Sequence, residues 1–203
     1  MAEATTTIDL ARFCAVDDER KPLNAPWRLN DHLYATNGHY AIEIADDGRA
    51  LPEPCPEKYP NMAALFAKYA EHGAWLTFPR LQPREVCIVC RGKGVVRERK
   101  CDECDGQGKS HHGSHDYECR ECDGEGAIVG STGPKARCKA CSGLGEPVFP
   151  HQDTRLPINS YATRYLRAIS TLPGLRIAET VKDGALVFEF TGGRGLLMPV
   201  SRG

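Results

Sequence analysis

The sequence has no apolar run approaching the roughly 18 residues that a membrane-spanning helix needs, which argues against a transmembrane segment. The opening Met1-Ala-Glu-Ala-Thr-Thr-Thr7 has neither a basic stretch nor an apolar centre, so it does not read as a signal peptide. A charge excess is also missing: 26 Lys and Arg stand against 27 Asp and Glu. Generic polyanion binding by the whole chain is therefore not expected. There is no phosphate-cradling glycine loop, no Ser-His-Asp pattern and no carboxylate pair set for acid-base work. The expectation is a non-enzymatic protein. The small net charge hides an asymmetry, since residues 1–83 carry 8 basic and 12 acidic side chains, 84–146 carry 11 of each, and 147–203 carry 7 and 4.

Cysteine, by contrast, is abundant, with 10 in the chain. Eight of them form four copies of one pattern, C-x-x-C-x-G-x-G: Cys87-Ile-Val-Cys90-Arg-Gly92-Lys-Gly94, Cys101-Asp-Glu-Cys104-Asp-Gly106-Gln-Gly108, Cys119-Arg-Glu-Cys122-Asp-Gly124-Glu-Gly126 and Cys138-Lys-Ala-Cys141-Ser-Gly143-Leu-Gly145. Two thiolates three residues apart reach one tetrahedral ion from a tight turn. Glycines behind the second cysteine allow positive φ, so backbone amides can turn toward sulfur. Eight such cysteines read as two zinc sites of four thiolates each, closed to water and so structural. The repeated spacing and the missing signal favour zinc in a reducing cytoplasm over a secreted disulfide scaffold. Two zinc ions and eight thiolates would give the middle segment a net charge of about −4. Cys14 and Cys55 lie outside the pattern and read as ordinary thiols.

This stretch resembles the cysteine-rich zinc domain of DnaJ-type co-chaperones, in all four motifs. The resemblance implies that the first and fourth motifs share one zinc (Cys87, Cys90, Cys138, Cys141) and the second and third the other (Cys101, Cys104, Cys119, Cys122). The same nesting follows if the segment is inserted into another domain, because its ends must then lie close together. The adjacent pairing, first with second and third with fourth, stays open. His151-Gln-Asp153 is similar to the J-domain tripeptide only at its ends; its proline and helical hairpin are missing, so a complete co-chaperone is not expected. His111, His112 and His115 read as an exposed loop, since the eight cysteines need no imidazole.

The flanks read as mixed structure. Residues 8–16 suggest a short helix capped by Thr6 or Thr7, and 27–29, 32–36 and 39–44 suggest strands, with a hairpin turn at Asn37-Gly38. Asp46-Asp47-Gly48 turns again, and Pro52, Pro54, Pro56 and Pro60 mark an extended connector. Asn61 caps a helix carrying Met62, Leu65, Phe66 and Tyr69, ended by Gly73, and 74–78 suggest a short strand. After a connector at 147–157, Asn159 or Ser160 would cap a helix to Leu172, with Ile158, Ala162, Tyr165, Leu166 and Ile169 inward and Ser160, Thr163, Arg164, Arg167 and Thr171 outward. Three strands follow at 175–181, 185–190 and 195–200, with turns at Lys182-Asp183-Gly184 and Gly192-Gly193.

These flanks resemble one domain of the bacterial DNA polymerase sliding clamp, through Tyr34-Ala-Thr-Asn-Gly-His-Tyr-Ala-Ile42, Pro157-Ile-Asn-Ser-Tyr-Ala-Thr-Arg-Tyr-Leu-Arg-Ala-Ile169 and Leu196-Leu-Met-Pro-Val-Ser-Arg202. Tyr40 and Ala41 depart from the clamp pattern, and the chain holds one such domain rather than three. The expected fold is α+β: a clamp-like domain of two helices on antiparallel strands, 1–83 and 147–203, carrying a two-zinc β-hairpin module at 84–146. The resemblance implies helices lining a DNA channel, with Arg12, Arg164 and Arg167 toward phosphate, provided that copies assemble into a ring. It also implies a pocket for short partner peptides at Thr36, Gly38, His39, Met198, Pro199 and Val200. The function expected is an interaction platform at replication or repair machinery, with protein partners and DNA. A chaperone-like binder of unfolded or assembling protein is the main alternative. A thiol-disulfide redox protein is a second, weakened by the missing thioredoxin-like βαβ context.

Overall fold

The computed structural model describes residues 7–112, 115–148, 152–181 and 183–200, with backbone alone at His111 and His112. The cap expected at Thr6, His151 of the J-like tripeptide, Lys182 of the last turn, and Ser201 and Arg202 lie outside the described residues. The chain divides into two compact units, Met1–Glu85 with Val148–Gly203, and Val86–Pro147.

The first unit begins with 3-10 turns at Leu10–Phe13 and Lys21–Leu23, then β1 (Trp27–Leu29), β2 (His32–Thr36), β3 (Tyr40–Ala45) and α1 (Met62–Lys68). The second unit holds β4 (Val95–Lys100), β5 (Lys109–His112), β6 (His115–Glu118), β7 (Ala127–Gly130) and β8 (Lys135–Arg137). The chain then returns to the first unit with β9 (Asp153–Arg155), β10 (Ser160–Ala162), α2 (Thr163–Ile169), β11 (Arg176–Glu179), β12 (Leu186–Phe190) and β13 (Gly193–Leu197).

In the first unit one antiparallel sheet runs β1-β2-β3-β13-β12-β11, so two meanders meet where β3 pairs with β13. The β2–β3 turn is built from its own side chains. Asn37 Oδ1 accepts from the amides of His39 (3.0 Å) and Tyr40 (3.1 Å), and Gly38 takes a φ of +85°. Alternation then sends neighbours on β3 to opposite faces. On one face, Tyr40 meets the Phe13 ring edge-on at 5.2 Å and the Tyr165 ring at 4.9 Å, so the first 3-10 turn and α2 cover that side. On the other, Ala41 joins Trp27, Tyr34, Val187 and Leu196 beneath Met62, Phe66 and Tyr69 of α1 and its cap. Gly193 and Gly195 leave room for the rings of Phe190 and Phe188; a Cβ at Gly195 would sit 2.1 Å from Phe188 Cζ.

Several expectations are corrected. The helix at 8–16 is a single 3-10 turn capped by Asp9, whose Oδ1 accepts from Ala11 N at 3.1 Å. It stops because Cys14 is extended and the Ala15 amide turns to Leu23 O at 2.8 Å. Helix α1 ends at Lys68, and the Gly73 amide bonds Glu179 O instead of closing the helix. The strand at 74–78 shrinks to one bridge, Leu76 to Ile177. The long helix from 159 starts as strand β10 against β9, and α2 has no side-chain cap. Buried Glu179 explains this: its carboxylate accepts from the amides of Ile158 (2.8 Å) and Asn159 (2.9 Å) and from Tyr161 Oη (2.9 Å), holding the segment extended. The facing also differs from expectation: Ser160 and Thr163 are buried while Ile158 is exposed. Thr163 Oγ1 lies 2.8 Å from Thr154 Oγ1.

The second unit contains a three-stranded antiparallel sheet, β7-β4-β8, and a separate β5–β6 hairpin. Among its described residues the buried side chains are the eight motif cysteines and Glu146. Its core is sulfur rather than hydrocarbon.

Candidate metal centres

The eight cysteines gather into two sets of four buried thiols: Cys87, Cys90, Cys138 and Cys141, and Cys101, Cys104, Cys119 and Cys122. The nested grouping is the one formed. In the first set Sγ of Cys87 and Cys138 lie 4.0 Å apart, and Cys90 and Cys141 3.7 Å. In the second, Cys101 and Cys119 are 3.9 Å apart, and Cys104 and Cys122 3.7 Å. These separations are well beyond the roughly 2.05 Å of a disulfide. A tetrahedron of thiolates about 2.3 Å from a central ion has edges of about 3.8 Å. The donor set therefore fits a tetrahedral four-thiolate ion, and is consistent with zinc.

The backbone of each motif explains why the pattern has this spacing. The first glycine donates to the carbonyl of the first cysteine, as Gly92 to Cys87 (3.2 Å) and Gly106 to Cys101 (3.0 Å). The second glycine donates to the second sulfur: Gly94 to Cys90, Gly108 to Cys104, Gly126 to Cys122 and Gly145 to Cys141, all at 3.2 Å. Those N–H···S bonds stabilise thiolate over thiol. Paired motifs then clasp each other. Cys87 N donates to Gly145 O and Cys138 N to Gly94 O, while Cys101 N donates to Gly126 O and Cys119 N to Gly108 O, each at 2.9 Å. The approach leaves no room for a side chain, since a Cβ on Gly108 would lie 2.1 Å from Gly124 O.

Burial opposes charge on these sulfurs when no metal is bound. It pushes Cys122 up to about 12 and raises Cys101, Cys138 and Cys141. At Cys90 and Cys104 burial is outweighed by the N–H groups of Gly94 and Gly108 and by the neighbouring thiols, which lower Cys90 and bring Cys104 down to about 7. A metal must therefore displace protons to enter, and is retained less well as pH falls. Val96 packs on the first set and Ile128 on the second.

No family model, curated protein or solved structure matches this chain. The reading of the sites rests on their geometry and chemistry.

The first unit has a cavity of about 680 Å³. Thr36, Gly38, His39 and Met198 line it, and the Met198 amide donates to His39 O at 2.8 Å, so two separate sequence motifs are brought together. Pro199 and Val200 are not among its lining residues; the Val200 amide bonds Ser160 O at 2.8 Å. Sequence reading missed other lining residues, among them Tyr59, Met62 and Leu65. Tyr59 stacks on Trp27 at 5.0 Å and its hydroxyl accepts from the Cys55 amide at 2.6 Å, pinning the proline-rich connector there. The available signal was a tyrosine among prolines at the helix start.

The three arginines stand differently. Arg12 is exposed, and its carbonyl accepts from Tyr40 Oη at 2.7 Å. The Arg164 guanidinium lies over the Tyr165 ring at 4.4 Å and donates to its hydroxyl at 2.6 Å. Arg167 donates to Gln82 O at 2.7 Å. Cys14 is buried, with its thiol 3.6 Å from Leu10 O, and Cys55 is half-buried; neither joins a four-thiol set.

Proposed function

We propose that the chain is a zinc protein that works by binding other proteins rather than by catalysis. The observation that carries this reading is the closure of both four-cysteine sets. Each would spend all four tetrahedral positions on buried protein sulfur, leaving none for water or substrate. Zinc held this way supplies folding free energy and a fixed scaffold. The module is read as DnaJ-like, set into a clamp-like domain spanning 1–83 and 147–203.

The cavity beside His39 and Met198 is the site proposed for a short apolar partner peptide. Its lining combines Leu65, Met62, Leu196 and Met198 with the polar Thr36 and Asn61 and the charged Arg20, Glu57 and Lys58. A displayed peptide library tests this. It should enrich apolar peptides that bind the wild-type protein and lose at least about tenfold in affinity to a Leu65→Arg variant, since a long charged side chain would then replace an apolar one in the pocket. Enrichment indifferent to Leu65→Arg would overturn the pocket.

DNA contact by Arg12, Arg164 and Arg167 belongs to the same clamp-like reading, as does assembly of copies. Two of those side chains already have intramolecular partners, so what they offer a phosphate is reduced. A salt-dependent gel shift checks it. A chaperone-like role is the second reading, supported by apolar side chains the zinc module leaves in the open, Ile88 at 89 % and Val86 at 57 % exposure.

A further inference from the structure

Beside the first cysteine motif the second unit carries a cleft of about 550 Å³. Its apolar lining includes Val89, Val95 and Val129, which remain 46 %, 41 % and 52 % exposed. Exposed apolar side chains gathered in one cleft and rimmed by polar residues mark an interaction site more than singly scattered ones do. Its cationic lining includes Arg91, Lys93 and Lys135, and no carboxylate is among its lining residues. None of these three cations has an ion-pair partner among the described residues. Arg97 also lines the cleft, with one guanidinium nitrogen donating to Gly133 O at 2.8 Å.

The charge placement is informative because the segment as a whole is not basic. Residues 84–146 carry 11 basic and 11 acidic side chains, and loaded metal sites would add net negative charge. Three other cations of this unit have carboxylate partners, Arg99 with Asp102, Lys100 with Asp105 and Lys139 with Glu125, whereas the cleft gathers three without one among the described residues. Unmatched cations and exposed valines lining one cleft are complementary to a ligand that brings both carboxylates and aliphatic groups. The cleft is less suited to single-stranded nucleic acid, since its lining has no aromatic ring on which a base could stack.

We propose that this cleft binds an acidic peptide segment carrying aliphatic side chains, the aliphatic groups lying on Val89, Val95 and Val129 and the carboxylates meeting Arg91, Lys93 and Lys135. This goes beyond the peptide cavity of the first unit and does not depend on it.

Fluorescence anisotropy on the full, zinc-loaded chain tests it with three dye-labelled probes: a peptide of alternating Asp and Leu, its counterpart with Asn at every Asp, and an oligothymidylate. The Asp peptide should bind, and more weakly as salt rises. Lys93→Glu with Lys135→Glu should weaken it by about tenfold or more, two lost attractions becoming repulsions. Val129→Asp should weaken it as well, while Leu65→Arg in the first unit should leave it unchanged. Metal content is measured on each variant, and Lys93→Gln with Lys135→Gln replaces the reversal if metal is lost. Equal binding of the Asn peptide would overturn the proposal in favour of general apolar capture. Tighter binding of oligothymidylate through the same lysines, or no binding of the Asp peptide, would also overturn it.

Discussion

At Arg91, Asp105, Asp123 and Ser142, the residue after the second cysteine of each motif, φ is 48–54°. Together with the two glycines, this gives each turn three left-handed positions, which aim successive amides back at the cysteine carbonyls and sulfur. Asp tolerates that conformation better than most residues, so positions 105 and 123 were a readable signal; Arg91 and Ser142 were not. The second glycine is under the tightest demand. At Gly108 positive φ and the 2.1 Å approach of Gly124 O act together. Gly108→Ala should release about one metal ion per chain, because a distal turn that cannot close loses its thiolate geometry. Gly130→Ala is the matched control: its Cβ would meet nothing within 4 Å, and the metal content should be unchanged. Elemental analysis of the two variants side by side checks both outcomes.

The elements show where local sequence suffices. β1 and β2 fall on the residues that alternation and the Asn37-Gly38 turn point to, because turn and strands are specified within a few residues of each other. The start of α1 was equally legible, since Asn61 caps it directly through Ala64 N at 3.1 Å. The start of α2 was not. Glu179 lies some twenty residues beyond the amides it captures, and no local pattern announces it. The cysteine pairing was legible down to two alternatives: the spacing defines the motifs, an inserted segment favours first with fourth, and the β4–β8 pairing is what brings those two together. Glu179→Ala should therefore destabilise the first unit by about 2 kcal/mol, since the amides of Ile158 and Asn159 lose their acceptor while Tyr161 Oη keeps Gly184 O at 2.6 Å. Chemical denaturation would show this as a lower midpoint, with metal stoichiometry unchanged. Glu179→Gln, which keeps acceptor capacity on one oxygen, should lose less.

In the whole molecule, two units have different kinds of core: aromatic and aliphatic side chains in one, thiols in the other. No helix among the described residues is long and apolar enough to cross a membrane. The ends of the second unit are fastened by the Cys87 amide on Gly145 O at 2.9 Å, so they lie close together. Replacing 86–147 with a Gly-Ser linker should leave a domain with a single cooperative melt, because closing that gap costs little. Two closed metal sites supporting the second unit are the central claim, and each would contribute on the order of 10 kcal/mol to folding. Native mass spectrometry of freshly purified, reduced full-length chain, before and after chelation, measures this most directly. The expected result is a mass increment of two zinc ions per chain, removed by chelator with a widened charge-state distribution as the second unit unfolds. An increment of one or none, or a mass lowered by disulfide formation across the cysteine sets, would contradict it.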